Sequence, residues 1–429
     1  MRTSDVFGVS RTLNPCSYVD RANLDARLSR ILNRDVHVAL KGASKSGKSW
    51  LRQKVLGSAN VVQCRLGKCV EDIYVEALGN LGVSIEISHE KKNQIKGTLD
   101  ASGELGIKIL AKLSGTLGMQ IEHSDTSSIK NLYFNLDNLK FIADTINASG
   151  RRLVIEDFHY LDLEQRKQLA FDLKTLWDYG CFVAVVGIWS QSNLLTSLNP
   201  DLTGRIEEVS VFWNEEDLRK VVDKGCGYLN LQIDKTIIGD MINDSYGNVG
   251  ILQKLLLHFI EDESGIEETS GVKIWLTDFS KYESAAKYYA NQLNGLYQQL
   301  AKTLSRGIRK RAQSTGIYAI TLQIIMDSDD KSLLDGISRD SIHEIAYTRE
   351  PRIKKGNLRS VMRKLEELQL DDANRNLVLS YDESTDSMYA VDRQLLFYRK
   401  YLSVKWPWEE MYEDAVKESL FADLDECDA

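Results

Sequence analysis

Residues 42–49 read Gly-Ala-Ser-Lys-Ser-Gly-Lys-Ser, a match to G-x-x-x-x-G-K-[ST]. They stand between a β-branched apolar run, VHVAL (36–40), and a helical stretch, WLRQKVLGS. A buried strand feeding a Gly-rich loop that opens a helix is the context in which this pattern cradles phosphate. Glycines let backbone N–H groups close around phosphate oxygens, and the helix that follows turns its positive end toward them. Lys48 is placed to neutralise β- and γ-phosphate charge, and the Ser49 hydroxyl to bind Mg²⁺. The expected ligand is ATP with Mg²⁺. Gly42, Ala43, Ser44, Lys45, Ser46, Gly47, Lys48, Ser49 and the adjoining Trp50 are the candidate binding residues.

The neighbouring sequence predicts the sheet such a loop needs. An amphipathic helix (18–33, with Leu24, Leu28, Ile31 and Leu32 at helical spacing) precedes the loop, and a strand (60–66) and the helical EDIYVEALGNLG follow it. After residues 85–130 the rhythm resumes with RRLVIEDFHYLD (151–162), a helix closed by Gly180, and the buried run CFVAVVGIW (181–189). Strand–helix alternation at this pitch means a parallel sheet covered by helices. The segment 85–130 holds Gly97, Gly103, Gly106, Gly115 and Gly118 around weakly amphipathic pieces, and is expected to be an insertion, either a loop with a short surface helix, which is favoured, or a subunit or partner contact. The domain reading is an ATPase core over 1–213 with that insertion, a helical lid and linker over 214–270, and a long helix plus a further domain over 271–429. Residues 215–262 read as all helix, VSVFW as a strand, and NLVLSYDESTDSMYAVD as a hairpin turning from Asp382 to Asp386.

LVIEDFH ends a predicted strand in two acids. By position Glu156 would act on Mg²⁺ and Asp157 on the attacking water, although Asp-first is the more usual order and the assignment of the two stays open. His159 either faces the nucleotide or, as its position favours, is structural at the start of the next helix.

Taken in order, YVDR, GASKSGKS, VIEDFHYL, VVGIWSQSN, a downstream Gly-Arg and SYGNVGILQKLL resemble the ATPase module of the AAA+ superfamily, specifically the origin-recognition-type and STAND ATPases. The resemblance covers residues 17–262 and implies an α/β P-loop fold with a helical lid. It implies that Tyr18 and Arg21 flank the adenine, that Ser190 occupies the polar sensor position, and that Arg205 is an arginine finger offered to a neighbouring subunit. One departure stands out. Many relatives carry an arginine soon after the lid glycine, where this chain has Gly250 and Ile251, with Lys254 one turn on. Either Lys254 substitutes, or the lid is coupled to the phosphates more loosely.

Residues 316–400 resemble the winged-helix domain often appended to these ATPases: GIYAITLQIIM as first helix, GNLRSVMRKLEEL as recognition-type helix, the hairpin as wing. Basic residues cluster at Lys302, Arg306, Arg309, Lys310 and Arg311, and at Arg352, Lys354, Lys355, Arg359 and Arg363. The wing carries Asp382, Glu383 and Asp386, which repel phosphate, so a protein-contact module is favoured over a DNA reader. The resemblance implies a nucleotide-dependent homo-oligomer that controls a separate effector protein, in a setting such as prokaryotic defence or signalling. The alternative is an origin-binding or transposition-type ATPase that contacts DNA through the winged helix.

Composition excludes other classes. A net charge of −8 argues against a chain coated by nucleic acid. No apolar run has the length of a membrane span or of a signal core, so a soluble, cytoplasmic protein is expected. Cys64 and Cys69 are a close pair without a second pair or a His cluster, so no zinc site is expected.

Overall fold

The structure is a computed structural model, and it describes residues 1–89, 95–101, 103–117, 128–132, 139–305, 315–369, 377–401 and 406. A short helix, α1 (Thr3–Val6), and an extended strap lead to a 3-10 turn (Arg21–Asn23) and α2 (Leu24–Leu32). Strand β1 (His37–Lys41) enters the P-loop and α3 (Lys48–Val55) leaves it, followed by β2 (Asn60–Gln63) and α4 (Val70–Gly79). Then come β3 (Val83–His89), β4 (Ile95–Ala101), α5 (Gly103–Leu117) and β5 (Ser128–Leu132). The core closes with α6 (Leu139–Ser149), β6 (Leu153–Glu156), α7 (Leu163–Asp178), β7 (Val183–Gly187), α8 (Leu194–Leu198) and β8 (Ile206–Ser210). The lid is α9 (Glu215–Leu229), β9 (Leu231–Ile233), α10 (Lys235–Asp244) and α11 (Val249–Leu257). Beyond it lie β10 (Ile274–Leu276), the long α12 (Phe279–Ser305), α13 (Ile317–Asp327) and α14 (Asp330–Asp335). The chain continues through β11 (Ile337–Ser338), α15 (Arg339–Arg349), α16 (Lys355–Glu367), the hairpin β12 (Leu379–Asp382) and β13 (Ser387–Ala390), and α17 (Arg393–Tyr401).

Five strands form the central sheet in the order β2-β6-β7-β1-β8, every pairing parallel. Successive side chains alternate between its faces, and both faces are buried, which is why these strands are near-continuous apolar runs. Val38, Leu40, Val154, Ala184 and Val186 pack with α2 and α3 on one side. Ala39, Ile155, Val183 and Val185 pack with α4, α6 and α7 on the other. Because all five strands point the same way, the P-loop, Glu156 and Ser190 emerge from one end of the sheet, where such folds bind ligands. The lid, α12 and the C-terminal helices and hairpin share a single continuous core that also takes in Val6 and Phe7 of the N-terminal segment.

Four expectations need correction. The 85–130 insertion is no simple loop: β3, β4 and β5 form a three-stranded antiparallel sheet beside the 15-residue α5. The alternation in VSIEISH is a strand signal that the surrounding glycines obscure. The lid is not all helix, because β9 pairs in parallel with β10 more than 40 residues away, a partner that local periodicity cannot reveal. The helix expected over 18–33 starts only at Leu24, since Ala22 and Asn23 take left-handed backbone angles (φ 48° and 55°). The strand expected at VSVFW runs three residues earlier, as β8. The basic residues Arg306, Arg309, Lys310 and Arg311 lie outside the described residues. Among the described residues no helix is long and apolar enough to cross a membrane.

Candidate nucleotide site

The P-loop owes its shape to two left-handed residues, Lys45 (φ 59°) and Gly47 (φ 84°), which fold the backbone into a concave nest. Gly47 is the N-cap of α3 and brings no side chain to satisfy the first helical N–H groups, which suits them to bind an anion. Lys48 opens that helix, and its Nζ donates to the carbonyls of Gly42 at 2.8 Å and Ala43 at 2.6 Å. Burial lowers the Lys48 pKa to about 8, with the carboxylates of Asp157 and then Glu156 holding it up in part. An ammonium held by neutral carbonyls in a half-buried nest is suited to an anionic partner. The Ser46 Oγ is buried without a hydrogen-bond partner among the described residues. Ser49 is exposed at the first turn of α3, and Trp50 Nε1 donates to the Ser10 carbonyl at 3.0 Å, tying the N-terminal strap to that helix.

The outer side of the loop is clamped. Asn248 Nδ2 donates to the Ser44 carbonyl at 2.8 Å, Trp213 Nε1 to the Ser46 carbonyl at 2.9 Å, and Lys45 Nζ to Gln394 Oε1 at 2.7 Å. Gly250 explains the departure in the lid: a Cβ there would stand 2.5 Å from Lys45 Cβ and 2.9 Å from its carbonyl, so no side chain fits between α11 and the loop. The lid therefore meets the P-loop through the N-terminus of α11, by the close approach at Gly250 and the side chain of its N-cap Asn248.

The structure brings some of the sequence-derived candidates to the loop and sends others elsewhere. The Arg21 guanidinium lies 4.3 Å over the Trp213 ring, with Nη2 3.5 Å from the Gly47 carbonyl, and burial lowers its pKa to about 10. Tyr18 is buried nearby; its hydroxyl donates to Asp25 at 2.5 Å and its carbonyl accepts Lys224 of α9. Glu156 at the end of β6 is bridged to Arg52 of α3 at 3.1 Å. Asp157, in a left-handed conformation (φ 57°), accepts the neutral amide of Gln63 at 2.8 Å. Among the described residues Asp157 is thus the one of the two acids outside a salt bridge. Ser190 Oγ is 3.1 Å from Ser380 Oγ of the C-terminal hairpin. Arg205 precedes β8 at the opposite end of the sheet from the P-loop, because His37 at the start of β1 pairs with Ile206. Its guanidinium lies 4.8 Å over Trp177 and donates to the Asp201 carbonyl.

Sequence reasoning missed Arg52, Trp213 and Gln394. Asn248 carried a signal, as an N-cap residue ahead of an apolar run; Arg52 stands in α3 beside the loop but bonds an acid 104 residues away, and Trp213 and Gln394 act from distant segments, so these carry none.

No protein-family model and no curated protein matches the chain. Among solved structures it is similar to a Walker-type ATPase of Pyrococcus abyssi, at 14% identity and a TM-score of 0.53, over 92% of this chain and 99% of that one. It is matched more loosely, at TM-scores of 0.37, by two others. One is the ORC1 protein of Aeropyrum pernix in complex with DNA (10% identity, 90% of this chain and 93% of that chain). The other is a STAND protein with a tetratricopeptide repeat sensor from Pyrococcus horikoshii (13% identity, 97% of this chain and 47% of that chain). The fold assignment rests on the first. The chain has the fold of a Walker-type P-loop ATPase.

Proposed function

We propose that this chain is a nucleotide-switched ATPase: it binds ATP with Mg²⁺ in the loop of residues 42–49, and the nucleotide sets how firmly the C-terminal module grips that loop. One observation carries the reading. Lys45, at the crest of the P-loop, bonds Gln394 at the start of α17, and Gln394 is held in turn by Tyr289 of α12 at 2.8 Å. A ligand that reshapes the loop therefore pulls directly on the C-terminal module.

Within that site Lys48 and the open N-terminus of α3 bind phosphate charge. The Ser49 hydroxyl and the carboxylates of Glu156 and Asp157 are the groups that would hold Mg²⁺, which supplies charge neutralisation at the phosphate oxygens. Hydrolysis is part of the proposal, with Asp157 the freer carboxylate to orient water. Arg205 would serve a neighbour's nucleotide in an ATP-dependent homo-oligomer, leaving Trp177 on assembly.

The order α13-α14-β11-α15-α16-β12-β13 supports a winged helix, and its charges favour a protein effector over DNA. Arg359 and Arg339 both reach Asp386, at 3.2 and 2.8 Å, and Arg363 reaches Glu383 at 2.8 Å. Mass photometry with and without ATP, combined with turnover assays, tests the reading. Wild type should assemble and hydrolyse, Lys48→Ala and Arg205→Ala should each be inactive, and their mixture should recover partial turnover. A wild type that binds no nucleotide overturns it.

A further inference from the structure

His159 stands on the 3-10 turn Phe158–Tyr160, directly after the paired acids. The residue is 3% exposed. Its Nδ1 lies 3.4 Å from the Ile188 backbone nitrogen and accepts that N–H. A nitrogen that accepts is unprotonated, so in the neutral ring the proton is on Nε2. The Nε2–H has no hydrogen-bond partner among the described residues. A buried donor without an acceptor is destabilising, and in a folded protein it calls for an explanation.

The surroundings point to one. The ring is bonded to the end of β7, which lies in the sheet between β6, the strand that ends in the acids, and β1, the strand that enters the P-loop, and the hydrogen-bond partners of Lys48 among the described residues are neutral carbonyls. An imidazole N–H without a partner among the described residues and an ammonium hydrogen-bonded only to carbonyls lie at one corner of the sheet, between the P-loop, the acids after β6 and the end of β7. A single anionic oxygen group in that corner would satisfy both. Resting on the nucleotide-switch reading, we infer that His159 donates from Nε2 to the terminal phosphate of a bound nucleoside triphosphate, and so lets the site distinguish triphosphate from diphosphate.

The inference also gives that distinction an outlet. The peptide that holds the imidazole belongs to Ile188, whose side chain packs with Leu377, Val391 and Tyr389 of the C-terminal module. Two residues on, Ser190 meets Ser380 of the hairpin. A ring turned toward phosphate shifts the backbone on which the hairpin docks.

Two variants separate this role from a structural one. His159→Asn offers an oxygen to the Ile188 N–H but carries no donor at the ε position; His159→Gln reaches that position with an amide N–H. Equilibrium titrations with fluorescent ADP and with a non-hydrolysable ATP analogue, both with Mg²⁺, give the affinity ratio. His159→Asn should lose about tenfold or more in analogue affinity, the effect of one hydrogen bond to a charged group, while ADP affinity stays within about twofold. His159→Gln should recover part of the loss. Hydrogen exchange in residues 379–390 should respond to the analogue in wild type and not in His159→Asn. An unchanged affinity ratio in His159→Asn, or an equal loss for both nucleotides, overturns the inference and leaves the nucleotide switch standing. A wild type that binds neither nucleotide takes both down.

Discussion

The P-loop and the outer face of α16 are both rich in cations, and they treat them oppositely. At the P-loop Lys48 has only backbone carbonyls, and the Ser46 Oγ and His159 Nε2 are buried without partners among the described residues. On the α16 face the cations meet the protein's own acids: Lys355 with Asp340 at 2.6 Å, Arg359 and Arg339 with Asp386, Arg363 with Glu383. Tyr381 adds its hydroxyl to Asp386 at 2.5 Å. The difference teaches that basic residues alone do not make an anion site. What matters is whether folding has already supplied the anion, because an unpaired buried group gains most from a ligand.

The largest effect expected is at the unpaired pole. Lys48→Ala should weaken ATP binding by about a hundredfold or more, since it removes the cation in a site where charge-assisted bonds are strongest. Tight ATP binding by a folded Lys48→Ala protein, measured by calorimetry, would break the comparison at its base.

Next comes the place where the two regions are joined. Gln394→Ala leaves both Lys45 Nζ and the Tyr289 hydroxyl without their shared acceptor. It should cost about 1–3 kcal/mol in urea unfolding and speed nucleotide exchange. An unchanged midpoint together with an unchanged exchange rate would show that the clamp transmits nothing.

Glu366 sharpens the comparison from inside the C-terminal module. Burial raises its pKa from 4.5 to about 6 while it accepts the Tyr381 N–H at 2.7 Å. Its folded form holds the proton more firmly than its unfolded form. The stabilisation from that proton is therefore complete below pH 4.5 and is lost as pH rises through 6, about 2 kcal/mol in all. Glu366→Gln should flatten this slope and raise stability at pH 7 by up to that amount. A parallel pH profile in denaturation experiments would contradict it.

The smallest effect is on DNA. Asp386→Asn combined with Glu383→Gln frees Arg339, Arg359 and Arg363, and should raise DNA affinity a few-fold at low salt with a salt slope steeper by about one to two. Asp382 is not a useful target, because it is buried and caps the hairpin turn by accepting the Ser384 N–H at 2.8 Å. A wild type that already binds DNA tightly at physiological salt would erase the contrast.

Local pattern made much of this molecule legible. The strand–loop–helix at residues 36–55, the apolar runs of β6 and β7, the hairpin turning after Asp382 and the long α12 all follow from short-range periodicity and turn chemistry. The antiparallel sheet of the insertion and the β9–β10 pair were hidden, since strand formation depends on partners distant in sequence. The site divides along the same line. By itself the sequence determined that residues 42–49 form a Gly-rich loop between a strand and a helix and that two acids end a nearby strand, because those features lie within one turn or one strand end. Only the tertiary structure decided what presses on the nest: Trp213 on Ser46, Asn248 on Ser44, Gln394 on Lys45, and Arg52 on Glu156. Those partners are set by the packing of lid and C-terminal module into one core, and hydrogen bonds between segments up to 349 residues apart leave no periodicity to read.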